Sequence, residues 1–96
     1  MDFLTDLKGR LNVTWSDDDQ DLIKIIERSK AYFNDIVGSE LEFVDDLVVQ
    51  ELLLERCRYV FNNAADDFLI NFSDDLMRLR MRVAIKLRGE ANVEII

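Results

Sequence analysis

Leu22, Ile25, Ile26, Ser29, Phe33, Ile36 and Val37 return at intervals of three and four residues, with Lys24, Glu27, Arg28 and Asp35 on the opposite side, and the run stops at Gly38. That is the period of an α-helix with one buried face, and glycine readily adopts the left-handed turn that closes a helix. Ser16 ahead of Asp17, Asp18 and Asp19 supplies a capping hydroxyl and acids where the helix dipole favours them. The spacing predicts a helix over 17–37, about 30 Å long at 1.5 Å per residue.

The same logic applies elsewhere. Asp45 and Asp46 open a helix over 45–62 whose polar stripe, Glu51, Glu55, Arg58 and Asn62, is narrow, while Leu47, Val49, Leu53, Leu54, Cys57, Val60 and Phe61 fill much of the rest. This is the expected central helix. Leu4, Leu7 and Leu11 mark a short helix before it all, and 62–67 reads as a joint leading to a short turn that carries Phe68, Leu69 and Phe72. Ser73 with Asp74 and Asp75 predicts a helix over 74–88 stopped by Gly89. Within it Leu79, Met81, Val83, Ile85 and Leu87 also alternate with Arg80, Arg82, Ala84, Lys86 and Arg88, a strand pattern. The helix reading is preferred because Leu, Met, Arg, Ala and Lys are good helix formers between two caps.

The expectation is an all-α domain over 1–89: a small bundle of three principal helices with a short N-terminal helix, followed by an extended C-terminal arm at 90–96. Ninety-six residues hold one core and not two. The composition, 49% hydrophobic and 33% charged without proline, is that of a folded chain. A single cysteine permits no internal disulfide and fits a cytoplasmic origin. The first residues have no basic stretch and long apolar core of a secretion signal, and no apolar run reaches the ~20 residues of a spanning helix, so no membrane is expected.

Charge is distributed unevenly. Residues 1–75 hold 18 acids and seven bases, whereas 76–96 hold two acids and five bases. A pI near 4.4 disfavours general nucleic-acid binding, so any DNA contact would be local. Arg78, Arg82 and Lys86 form one stripe at i, i+4 and i+8, with Arg80 and Arg88 elsewhere on the helix. Two readings are open: a solvated face, or a stripe that meets an acidic neighbour or a nucleic-acid backbone. Val93, Ile95 and Ile96 are apolar residues in a tail too short to build an element, a pattern suited to adding to a partner.

Chemistry finds little support. Histidine is absent, which removes the commonest general base and metal ligand. Cys57 lies mid-face on an apolar helix and reads as core. Asp17 to Asp21 lacks the glycine and closing glutamate of a calcium loop. Only Glu27, Glu51 and Glu55 are clearly mid-helix carboxylates, a thin basis for a magnesium-dependent nucleotide hydrolase. No catalytic residue, metal or cofactor is expected. Trp15, just before the cap, reads as a lid on the helix rather than an interface anchor.

Taken in order, Leu7-Lys8-x-x-Leu11-Asn-Val, Asp19-x-Asp21-Leu22-x-x-x-Ile26, Ala31-x-x-x-x-Ile36-x-Gly38, the set Leu53, Arg56, Tyr59 and Asn62, Phe68-x-x-x-Phe72, and Leu87-Arg88-Gly89-Glu90 span nearly the whole chain. The succession resembles the head-tail connector (adaptor) family of tailed bacteriophages and prophages. Lys86 stands where the family's last motif often has Gln. The resemblance implies an all-α, non-enzymatic virion protein at the head-tail interface, present in the host cytoplasm during assembly. It would dock beneath a portal protein as a homo-oligomeric ring of about twelve subunits and offer a platform to a stopper or tail-completion protein, with DNA passing through the channel. Arg78, Arg82, Lys86, Arg88, Val93, Ile95 and Ile96 are the expected partner and ring contacts. The competing function is a small helical regulatory module that binds one other protein.

Overall fold

The computed structural model describes residues 2–95, except for the side chains of 90–95. The described chain is all α-helix with no strand: α1 (Phe3–Leu11), α2 (Asp19–Val37), α3 (Leu47–Phe61), α4 (Ala65–Asn71) and α5 (Ser73–Ile95).

Local chemistry sets most of the boundaries. Asp2 caps α1, its Oδ1 accepting the Leu4 and Thr5 amides at 3.0 and 3.2 Å. Asn12 closes the helix in the left-handed region at φ 57°. Asp46 caps α3 through the Val48 and Val49 amides. Gly38 ends α2 as its sequence position implies, with φ 69° and its amide donating to the Asn34 carbonyl at 2.9 Å. The Asn34 side chain then accepts the Leu41 amide, which fixes the start of the connection to α3.

Four boundaries differ from the sequence reading. Ser16 is not the cap of α2: its carbonyl accepts the Asp19 amide in a turn, and the helix begins at Asp19. Trp15 is half exposed and its indole N–H donates to Asp18 at 2.8 Å, holding that turn. Around the 62–67 joint, Asn63 takes φ 58° and a two-turn helix, α4, follows where a short turn was expected. Ser73 is the first residue of α5 rather than its cap, because its hydroxyl donates back to the Ile70 carbonyl. The Phe72 amide donates to Phe68 and its carbonyl accepts from Leu76, so α4 runs almost directly into α5.

Most consequentially, α5 does not stop at Gly89. Gly38 is the glycine with positive φ; Gly89 is helical and α5 continues to Ile95. The expected extended arm at 90–95 is therefore helical backbone. The side chains of Val93 and Ile95, and Ile96 altogether, lie outside the described residues.

The core is built round α3, which packs on α1, α2 and α4. Leu7, Leu22, Phe33, Val49, Leu53, Cys57 and Phe68 are fully enclosed. Edge-to-face contacts join Tyr32 to Phe33 and Tyr59 to Phe72, while Phe68 stacks on Phe72 at 4.7 Å. The Arg56 guanidinium lies 3.9 Å above Tyr32 and donates to the Ala65 carbonyl, tying α4 to α2 and α3. Helix α5 leans on α2 and α4 but does not pack closely on α3. That arrangement leaves a gap beside it.

Candidate interaction surface on the last helix

Helix α5 buries Leu76, Leu79 and Val83 against the bundle. At 100° per residue, Met77, Met81 and Ile85 fall on the side away from that stripe, with Met81 about 170° round from it. Their fractional exposures are 62%, 58% and 66%. From Ala84 to Gly89 every residue is exposed. The apolar positions that alternate in the sequence thus separate on the helix, Leu79 and Val83 inward, Met81 and Ile85 outward. A helix with apolar stripes on opposite sides is suited to being sandwiched.

Two of the grooves that border α5 bear on its apolar residues. One, of about 510 Å³, lies between the starts of α3 and α5, with Leu47, Val48, Leu52, Phe72 and Leu79 as apolar walls and Glu51, Asp75, Arg78 and Arg82 at its rim. Leu47, expected in the core, is 79% exposed here, because the cap at Asp46 turns the first residue of α3 outward. The other lies against the end of α2, where Ile36, Val37, Met77, Met81 and Ala84 sit with Asp35 and Arg80.

The expected cationic stripe is divided by the fold. Arg82 donates to Asp46 Oδ2 at 2.6 Å, so Asp46 both caps α3 and tethers α5. Arg78 pairs loosely with Asp75 one turn earlier, at 3.5 Å. Lys86 is exposed beside Glu40 and Glu42 of the α2–α3 connection, and Arg88 is exposed further along. Two of these cations, Arg78 and Arg82, therefore pair with acids of the chain itself. The methionine stripe and the Leu47–Val48 groove were absent from the expected contacts. The readable signal was Met77, Met81 and Ile85 at i, i+4 and i+8 beside a second apolar set at 76, 79 and 83.

The carboxylates considered for metal chemistry are paired. Arg10 bridges Glu51 and Glu55, and Glu55 also accepts from Arg58 at 3.0 Å. The hydrogen bond from Arg10 holds the Glu51 carboxyl below its usual range, and Arg58 followed by Arg10 does the same for Glu55. Burial pushes the Cys57 thiol up, opposed in part by the Ser29 hydroxyl. Among the described residues no group of His, Cys, Asp or Glu is arranged to hold a metal ion, and no helix is long and apolar enough to cross a membrane. Compared with known protein families, characterised proteins and solved structures, the chain matches none.

Proposed function

We propose that this chain is a structural, non-enzymatic head-tail connector (adaptor) of a tailed phage or prophage. In this reading it docks on a portal protein as a ring of about twelve copies, sits at the head-tail interface of the virion after assembly in the host cytoplasm, and carries the stopper or tail-completion protein. The observation that supports this best is the outer side of α5: a row of exposed Met77, Met81 and Ile85, on a helix whose residues from Ala84 to Gly89 are all exposed. Exposed apolar side chains in a contiguous row mark a surface made to be covered. A small all-α fold with three long helices and a short N-terminal one is the architecture that the reading calls for. With Arg82 tied to Asp46, Lys86 and Arg88 are the cations better placed to face DNA in a channel.

The test is co-sedimentation with a tailed-phage portal protein taken from the genome that carries this gene, followed by electron microscopy of the complex. Ring-shaped density on the portal is the expected result. A stable dimer indifferent to the portal would replace this reading with that of a regulatory module.

A further inference from the structure

Helix α5 is held by few contacts. Leu76, Leu79 and Val83 are its buried side chains. At the far end of that stripe Arg82 donates to Asp46 Oδ2 at 2.6 Å, among the described residues the one ion pair that joins α5 to the rest of the fold. Between these contacts α5 stands off α3 across the groove of about 510 Å³. Phe72 alone separates α4 from α5, with φ −114° and ψ 16°, outside the helical pair of angles. Its ring stacks on Phe68 and meets Tyr59 edge-on, so this joint is pinned to the body of the molecule.

We propose that α5 is a lever that pivots at Phe72 and is latched by the Asp46–Arg82 pair, so that a pull on its exposed far part releases it and uncovers Leu79 and Val83. The neighbours explain why Asp46 is the latch. Glu51 and Asp75, the other acids of the same groove, are engaged by Arg10 and Arg78. Glu40 and Glu42 lie on the Lys86 side. Asp46 has an oxygen to spare: Oδ1 accepts the Val48 and Val49 amides as the cap of α3, and Oδ2 accepts from Arg82. With side chains 48% and 30% exposed, the pair is open to water and salt, which makes it a clasp that can open and not a permanent strut. Past Val83 the helix continues for about 18 Å at 1.5 Å per residue, to Ile95, and every residue from Ala84 to Gly89 is exposed. A force applied there works against three buried apolar side chains and one ion pair. Elements so lightly held are the ones that move first.

Double electron–electron resonance reads the lever's position in the full-length chain, with nitroxides on Glu27→Cys in α2 and Ile85→Cys in α5. Both positions are exposed, and the native Cys57 is buried. Asp46→Asn removes the latch but keeps the cap, since asparagine caps a helix as well as aspartate does; Arg82→Gln removes the other half. Each is expected to raise the share of displaced distances about two- to fivefold, the scale of a partly exposed ion pair. Sodium chloride at about 1 M is expected to do the same to the latched chain and to add little in the two variants. This salt series needs no change at the latch, so it decides even if a variant folds poorly. Labels on Glu27→Cys and Asp66→Cys, both in the body, are expected to keep one distribution throughout. A Glu27–Ile85 distribution indifferent to both variants and to salt would overturn the proposal. An equal change in the Glu27–Asp66 pair would overturn it too, by showing that the body moves and not the lever. The latch acts in the free chain: its loss would leave the connector reading standing, and a chain that ignored the portal would leave the latch standing.

Discussion

The aromatic centre, where α2, α3 and α4 meet, and the outer side of α5 are built from equally apolar residues and do opposite work. Phe33 and Phe68 are fully enclosed, whereas Met77, Met81 and Ile85 are mostly in water. The centre has neighbours on every side because three helices converge on it. Helix α5 has them on one side only, and its residues from Ala84 to Gly89 are all exposed. Apolarity therefore marks surface that will be covered, and only the packing tells whether the cover is the chain itself or something else.

The comparison is sharpened most by deleting equivalent apolar mass on each side. Phe68→Ala is expected to cost about 3–5 kcal/mol, since it opens a cavity in a fully packed aromatic cluster, and to lower the thermal midpoint accordingly. Met81→Ala, by contrast, is expected to change stability by less than about 0.5 kcal/mol. A large loss of midpoint in the second variant would place Met81 in the monomer's own core and break the comparison.

The two glycines that the sequence marks as helix stops provide a smaller test. Gly38→Ala puts a Cβ at φ 69° and is expected to destabilise by roughly 1 kcal/mol. Gly89→Ala meets nothing within 4 Å in a helical residue, so it is expected to raise helicity and stabilise the C-terminal turns by roughly 0.5–1 kcal/mol. Circular dichroism and thermal melting read both. Loss of helicity on Gly89→Ala would restore the glycine as a helix stop.

Acid should act on the body of the molecule. Glu51 and Glu55 have folded pKa values depressed below their ordinary 4.5 by Arg10 and Arg58. Their pairing stabilises the fold at neutral pH, and the contribution is lost as pH falls below that value and through the folded pKa. Glu55→Gln is expected to lower the midpoint at pH 7, by roughly 0.5–1 kcal/mol for a partly exposed pair, and to flatten its fall between pH 5 and 3. An unchanged acid slope would show that the bridge contributes nothing.

Reversing Arg78, Arg82 and Lys86 together is expected to act on assembly far more than on the fold. Exposed pairs contribute about 0–1 kcal/mol each, so the monomer should stay folded while ring assembly or DNA retention is impaired. Normal assembly and particles that keep their DNA would leave this stripe a solvated face.

Much of the fold is legible in the residues. The 3,4 period of α2, its stop at Gly38, the acids opening α3 and the central place of that helix are local signals, and they act through backbone hydrogen bonds four residues away. That range is why they survive without knowledge of the rest of the chain. The surface was less legible. Arg78, Arg82 and Lys86 stand out as cations, but Arg82 finds Asp46 across 36 residues of sequence, and no local pattern encodes that contact. Ser16 and Ser73 look like caps, yet a turn at one and a nearly continuous α4–α5 path at the other use their backbone and hydroxyl differently. Gly89 has no tertiary neighbour to hold it in a left-handed turn, and the helix runs on through it.

The residues alone determined that this chain is helical, where its longest helices lie and which end carries the positive charge, because capping, periodicity and composition are properties of short segments. The tertiary structure alone decided which of the two apolar stripes of α5 is buried, that Leu47 faces water and that Asp46 serves two helices. Burial depends on what lies opposite a side chain, and that neighbour comes from another part of the chain.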